Sequence, residues 1–314
     1  MEKMIQSASQ EKSIDLLNNN NEKEEIFIEQ NKLYSGVADA AQAKWAEIQK
    51  LGLAENIAEL AILGYTVVPP EKLAPKGFSE KLLEAVVSAG RRQGHDIDLR
   101  SDGVKAQFGV DLGDLLFEDE IFIEAALNPA VQALTTYLLG GHPVLGLYSA
   151  LIKGRSYEED LPLHVDEGRA PPPLAYQSQV CNATWILTDY SRSDGSVCFV
   201  PGSHHYLRPP LPGEGEDDRV PVNAPAGSLV FWTGRTWHGA FARSRPGLRV
   251  NLFMLFFRPH LRPMNHYREH ISPEMLKKYP GLARVLGMEI GDGWSDGIRS
   301  RSIDSYMMGR HVYD

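Results

Sequence analysis

Residues 179–203 run QVCNATWILTDYSRSDGSVCFVPGS, and the alternation within them decides the fold. Gln179–Thr188 is dense in β-branched and aromatic residues, which is a strand signature. Arg192-Ser193-Asp194-Gly195 is turn chemistry, Ser196–Val200 is a second strand, and Pro201-Gly202-Ser203 a second turn. The same rhythm continues outward. Val144–Lys153 precedes the stretch, and Ser228–Trp232 and Arg249–Phe257 follow it, with the turn-rich Pro209–Gly215 in between. Short strands at this spacing, with no helices between them, build a sandwich or barrel rather than a doubly wound parallel sheet.

Upstream the periodicity is helical. Apolar residues recur at helix spacing from Ala40 to about Leu63, where Gly64 stops the pattern, and Tyr65–Val68 is a strand closed by Pro69-Pro70. Further helices are expected over Ser79–Arg92 and Glu118–Leu139, and beyond residue 268 over Ser272–Lys278 and Leu282–Leu286. Residues 1–35 include Asn18-Asn19-Asn20-Asn21 and Glu22-Lys23-Glu24-Glu25, too polar to offset the entropy of ordering. The expected organisation is therefore a flexible tail over 1–35, a helix-flanked β domain over 36–268, and a helical, polar extension of it over 269–314.

Composition removes several function classes. A chain of 314 residues that is 43% hydrophobic can bury a core without a structural metal or disulfide, and only Cys181 and Cys198 are present. The net charge of −9 opposes binding to nucleic acid or an anionic membrane. The longest nearly apolar run, Val250–Phe257, is far short of a bilayer span and contains Asn251. The first residues lack the apolar centre of a signal peptide. No phosphate-cradling glycine loop and no G-x-S-x-G elbow occurs. The expectation is a cytoplasmic protein, monomer or homodimer, that acts on a small molecule.

Ten histidines are present, and most read as surface residues, including His204 and His205 in the turn after Pro201-Gly202. His164-Val165-Asp166 stands apart, because residues i and i+2 of an extended segment share a face. The pattern H-x-D is weak alone and needs a second histidine from a distant strand. His238, in Trp237-His238-Gly239, lies 72 residues after Asp166, just past Ser228–Trp232. Two histidines and one carboxylate on one side of a metal leave its other side open, the arrangement of non-haem Fe(II) oxygenases. A bidentate 2-oxoacid co-substrate would need a cation for its far carboxylate, and a guanidinium fork fits that task. Arg249, 11 residues after His238, opens the apolar strand, while Arg243, Arg245 and Arg258 compete from a loop or from beyond it.

Together His164-x-Asp166, Asp194-Gly195 with Pro201-Gly202-Ser203-His204, Trp237-His238-Gly239 and Arg249 resemble the phytanoyl-CoA dioxygenase family. Gly64–Val68 after a helix and Lys153 on the strand before H-x-D also fit, so the resemblance covers roughly residues 55–262. It implies a mainly β protein with flanking helices, built on a double-stranded β-helix: a jelly-roll, cupin-like barrel whose mouth holds the metal. It further implies Fe(II), 2-oxoglutarate and O₂, with ascorbate as a possible reductant. The implied reaction hydroxylates an unactivated C–H of a small organic substrate, releasing succinate and CO₂. By position, His164, Asp166 and His238 would be the iron ligands and Arg249 the partner of the 2-oxoglutarate 5-carboxylate.

Thr184 stands where relatives often carry a Trp lining the co-substrate site, although the adjacent Trp185 leaves the register open. Lys153 either reaches the co-substrate or caps its strand. Ala240 departs from the Ser that relatives often carry two residues after the distal histidine, a loss of about 1 kcal/mol of hydrogen bonding. A CoA-bearing substrate would favour a basic patch, for which Arg155, Arg169, Arg192 and Arg208 are the available residues. Two rivals remain: a metal-dependent hydrolase or isomerase on a similar barrel, which would not require Arg249, and a non-catalytic ligand-binding barrel.

Overall fold

The computed structural model describes residues 41–102, 110–155, 159–168, 171–290 and 294–295. The tail expected over 1–35 lies outside the described residues. Ten strands form the barrel: β1 (Tyr65–Val68), β2 (Val110–Leu112), β3 (Val144–Lys153), β4 (Leu161–His164), β5 (Val180–Ile186), β6 (Val197–Phe199), β7 (Val220–Pro221), β8 (Leu229–Thr233), β9 (His238–Ala240) and β10 (Arg249–Phe257). A six-stranded antiparallel sheet runs in the order β1-β8-β5-β10-β3-β2, and a four-stranded one in the order β4-β9-β6-β7. These are the two walls of a jelly-roll, reached by long crossovers as in other closed double-sheet folds.

The larger sheet is buried on both faces, and every residue of β5 and β8 is buried. Its outer face carries Cys181, Ala183 and Trp185 of β5 with Leu252, Met254 and Phe256 of β10. That face packs under four helices: α2 (Ala54–Leu63), α3 (Phe78–Arg92), α4 (Glu120–Ala126) and α5 (Pro129–Leu139), with a helix α1 over residues 41–50 before them. Its inner face places Ile186, Val230 and Trp232 against Phe199 and Val197 of the smaller sheet. After the barrel come α6 (Pro273–Lys278) and α7 (Gly281–Val285). Among the described residues no helix is long and apolar enough to cross a membrane.

Two of the expected helices are divided. The stretch 40–63 breaks at a turn whose Gly52 has φ +68°, and Glu118–Leu139 breaks between α4 and α5. The second break is written in Asn128-Pro129. Proline suits the first helical position, and the Asn128 carboxamide oxygen accepts from Ala130 N (3.0 Å) and Val131 N (3.4 Å). Its Nδ2 donates to Leu73 O at 2.8 Å, tying the start of α5 to the segment that follows β1. Strands β2, β4, β7 and β9 have two to four residues each, too few for any periodicity to announce them.

The double use of Asn128 yields a stability prediction. Asn128→Ala removes a cap and strands a buried carbonyl, so it should cost about 2 kcal/mol. Asp119 caps α4 through a single exposed bond to Ile121 N, and Asp119→Ala should cost about 1 kcal/mol or less. Urea unfolding of both variants measures the difference.

Candidate active site

β4 and β9 are neighbours in the smaller sheet, and their register sets His164 directly opposite His238. The two rings lie 4.2 Å apart between centroids, tilted by 48°. Asp166 arrives differently from the expectation of a shared strand face. β4 ends at His164, and Asp166 sits in the turn that follows. Four hydrogen bonds to neighbouring segments hold that turn. Trp232 Nε1 donates to Asp166 Oδ2 at 3.2 Å, Glu167 N donates to Gly234 O at 3.2 Å, and Glu167 Oε1 accepts from Gln179 N (2.8 Å) and Val180 N (3.1 Å). Sequence reasoning missed Glu167 and Trp232, because both act through contacts with distant strands.

The ligand-capable atoms of His164, Asp166 and His238 all lie within 4.8 Å of one another, and His238 Nε2 is 3.5 Å from Asp166 Oδ1. Each histidine Nδ1 donates to a carbonyl two residues earlier, His164 to Pro162 O and His238 to Thr236 O, both at 2.9 Å. A carbonyl can only accept, so the proton is on Nδ1 and the lone pair on Nε2, the form that binds metal. Burial and the neighbouring His238 push His164 below the usual imidazole range. Burial also opposes charge on Asp166 and His238, but their mutual attraction wins: the carboxyl is held low and the His238 imidazole high. The same carboxylate that favours a proton on His238 would favour a metal cation shared by the three groups.

The second cluster lies on the inner face of the larger sheet. Arg249 is 1% exposed; its Nη1 donates to Gly195 O at 2.6 Å and lies 3.3 Å from Tyr190 Oη. Its Nε and Nη2, which form the other edge of the fork, are buried with no partner among the described residues. Lys153 is directly opposite Arg249 in the β3–β10 ladder, with Nζ donating to Phe241 O at 2.6 Å. Burial, with Arg249 adding to it, pushes the Lys153 amine down to about 7.

Thr184 lies beyond Asn251 and Phe253 on the same face, its Oγ1 donating to Asn182 Oδ1 at 2.7 Å, whereas Trp185 joins the outer core under the helices. Of the adjacent pair, Thr184 therefore faces the barrel interior and Trp185 the helices. Asn182 shares that face, opposite Trp232, and was not singled out from the sequence. The alternation counted back from Thr184 would have found it.

The competing arginines are occupied elsewhere. Arg243 donates to the carbonyls of Gly247 (2.7 Å), Pro246 (2.8 Å) and Asp194 (3.1 Å) and pairs with the buried Asp194 carboxylate at 3.3 Å. Arg258 donates to Ser178 O and Leu138 O, and Arg245 is exposed. His204 is a correction. It is buried, with its Nε2 3.3 Å from Ala61 O, and burial together with His205 lowers it to about 4. It wedges beneath Gly64, where a Cβ would stand 2.6 Å from its Nδ1, so it shapes the α2–β1 turn and lies outside the ligand cluster.

A cavity of about 700 Å³ opens beside His164 and Asp166, walled by Leu163, Leu174, Val180, Leu255 and Phe257. With the site laid out, comparison with known proteins is informative. The family model described as phytanoyl-CoA dioxygenase (PhyH) matches residues 64–250, more than half of the chain. The chain belongs to the phytanoyl-CoA dioxygenase family. A curated relative, dioxygenase af480 of Aspergillus fumigatus, is 28% identical over 173 residues, which are 54% of this chain and 56% of that protein. The match thus spans little more than half the length of that relative.

Among solved structures, the non-haem α-ketoglutarate-dependent carbocyclase SnoK from nogalamycin biosynthesis aligns with TM-score 0.53 and 19% identity, covering 70% of this chain and 91% of that one. HygX from Streptomyces hygroscopicus, solved with nickel and 2-oxoglutarate bound, aligns with TM-score 0.53 and 18% identity over 67% of this chain and 88% of its own. At these identities the likeness is one of fold, and the fold is the jelly-roll described above.

The two inward arginines should separate by what their loss damages. Arg243→Ala leaves the Asp194 carboxylate buried without its closest cation, so stability should fall by about 3 kcal/mol. Thermal unfolding of that variant beside Arg249→Ala checks it, since Arg249 gives up only one carbonyl bond and a weak hydroxyl contact.

Proposed function

We propose that this protein is an Fe(II)- and 2-oxoglutarate-dependent dioxygenase that hydroxylates an unactivated C–H of a small organic substrate, with succinate and CO₂ released. The observation that carries the reading is the unpaired edge of Arg249. Burying a guanidinium with two unsatisfied N–H groups is costly, and a carboxylate ligand that accepts both at once removes that cost. A hydrolase or isomerase on this barrel would use the three metal-ligating groups but has no task for such a fork.

His164 and His238 would hold iron through Nε2 and Asp166 through its carboxylate, whose Oδ2 is steadied by Trp232. Bound iron, with 2-oxoglutarate and O₂, supplies the oxidising chemistry, and ascorbate is the reductant expected to keep the metal ferrous. Arg249 receives the 5-carboxylate through Nε and Nη2, and Lys153 adds a second cation from the facing strand. Thr184 contributes by orienting the Asn182 carboxamide, because its own hydroxyl proton is committed there. The apolar walls of the cavity exclude water and position the substrate's C–H bond. Epimerase and carbocyclase neighbours share the fold, so the hydroxylation outcome rests on how substrate sits in that cavity.

Three outcomes test this. His164→Ala should abolish Fe(II) binding in an anaerobic titration and leave the far-ultraviolet circular dichroism unchanged. Arg249→Ala should keep Fe(II) but raise the dissociation constant for 2-oxoglutarate about 150-fold, equivalent to about 3 kcal/mol. Pyruvate lacks the 5-carboxylate and should bind both forms alike; equal 2-oxoglutarate affinities would pass the case to the hydrolase.

The third concerns protons. With Lys153 near 7 in the free protein, the amine is mostly neutral at pH 8, and a bound dianion favours its charged form. Binding 2-oxoglutarate at pH 8 should therefore take up a proton, and affinity should weaken as pH rises above 7. Calorimetry in two buffers of different ionisation enthalpy reads the uptake, which Lys153→Met should remove.

A further inference from the structure

The cavity beside the metal-ligating groups has a lopsided chemistry. Leu163, Leu174, Val180, Leu255, Phe257 and Met264 make it an apolar enclosure of about 700 Å³, within the range of a drug-sized ligand. Its charged lining residues, among the described residues, are Asp166, Glu167 and Arg262. Asp166 belongs to the metal-ligating set. Glu167 is buried with its Oε1 occupied by two backbone amides. Arg262 alone forms no hydrogen bond or ion pair among the described residues, and it is exposed at the rim.

Its position is fixed by the backbone around it. The segment after β10 is tied to β3 by Met264 N and Asn265 N, which both donate to Gly146 O at 2.7 and 3.1 Å. Arg262 therefore hangs from the larger sheet, whereas His164 is on β4 of the smaller one. The free cation and the metal-ligating groups thus belong to different walls of one apolar cavity.

A polyanionic substrate such as a CoA thioester would need several cations at the cavity, and Arg155, Arg192 and Arg208 do not line it. Arg155 pairs with Asp102, Arg208 grips Glu214 through two bonds of 2.7 Å, and Arg192 is stacked on Phe241 at 4.1 Å. Arg169 lies outside the described residues.

We propose that the substrate is an amphiphilic organic monoacid, whose apolar body fills the cavity and whose single anionic group meets Arg262. The carbon offered for oxidation then lies in the apolar part, away from the acid. This rests on the reading of His164, Asp166 and His238 as the iron site, but the binding half can be tested without iron.

The test is displacement of a fluorescent probe, 11-(dansylamino)undecanoate, from the full-length chain by decanoate and by decan-1-ol. Decanoate should displace it at about fivefold lower concentration than the alcohol, the scale of a rim ion pair, and the gap should shrink in high salt. Arg262→Gln should close the gap while Arg262→Lys keeps part of it, and Leu255→Trp should weaken both competitors. Equal potency in the parent, a gap that survives Arg262→Gln, or failure of the probe to bind each overturns the proposal. A parallel anaerobic Fe(II) and 2-oxoglutarate titration reads the dioxygenase assignment by itself. Silence there with the decanoate preference intact would sink the iron reading and leave the acid-binding cavity standing.

Discussion

The pairing of β4 with β9 is the contact on which the site depends, because it alone brings His164 opposite His238. Four residues against three cannot sustain a register by themselves. The register is held by what surrounds it. Gly239 lets the strands close, since a Cβ there would lie 2.4 Å from Leu161 O. Trp237 is anchored on both sides, its N donating to Ser203 Oγ at 2.8 Å and its Nε1 to Arg208 O at 2.7 Å. Thr236 Oγ1 donates to Gly64 O at 2.8 Å, which joins the loop before β9 to the α2–β1 turn. Tyr65 stacks on Phe199, 4.2 Å between centroids, and closes the barrel behind His238. The turn signature Pro201-Gly202-Ser203-His204 thus acts at a distance: Ser203 and His204 brace the segment that delivers His238.

Electrostatically the barrel interior is divided. At the His164–Asp166–His238 cluster, two neutral imidazoles and an ionised carboxylate form a set that carries one negative charge. On the facing sheet, Arg249 and Lys153 sit side by side, both buried. Burial disfavours charge on the Lys153 amine and Arg249 beside it adds repulsion, so the amine is depressed. A fold that tolerates this has to recover the energy elsewhere. The continuous core of the larger sheet against α2–α5 is the evident source, since it buries side chains from all six strands of that sheet and from the four helices. Pre-placed cations of this kind cost stability and favour an anion that arrives later.

The arginines show where reasoning from residues alone stops. Arg243 and Arg249 are six positions apart, both are buried, and both sit near Asp194-Gly195. One has its donors distributed over three carbonyls and a carboxylate; the other keeps an entire edge unsatisfied. No spacing rule distinguishes them. Thr184 carries a similar lesson, because its inward orientation follows from strand alternation, yet its hydroxyl is spent on Asn182, and that depends on a neighbour's rotamer.

What the sequence by itself determined is whatever local chemistry can encode. The long strands β3 and β10 stand over their apolar runs, the turns where Gly and Pro impose them, and the His164–Asp166–His238 cluster where H-x-D meets W-H-G. The break at Asn128-Pro129 was also written there, since a proline at a helix start carries its own signal. The tertiary structure decided everything that turns on partnership. It placed Asp166 in a turn stitched to Trp232 and, through Glu167, to β5; buried His204 against α2; and paired strands of two to four residues that no periodicity marks. It also left one edge of the buried Arg249 guanidinium without a partner among the described residues and spread the donors of Arg243 over carbonyls and a carboxylate. The physical reason is the same in each case: periodicity and turn propensity are properties of a few consecutive residues, whereas the satisfaction of a buried polar group depends on atoms that only the closed barrel brings within reach.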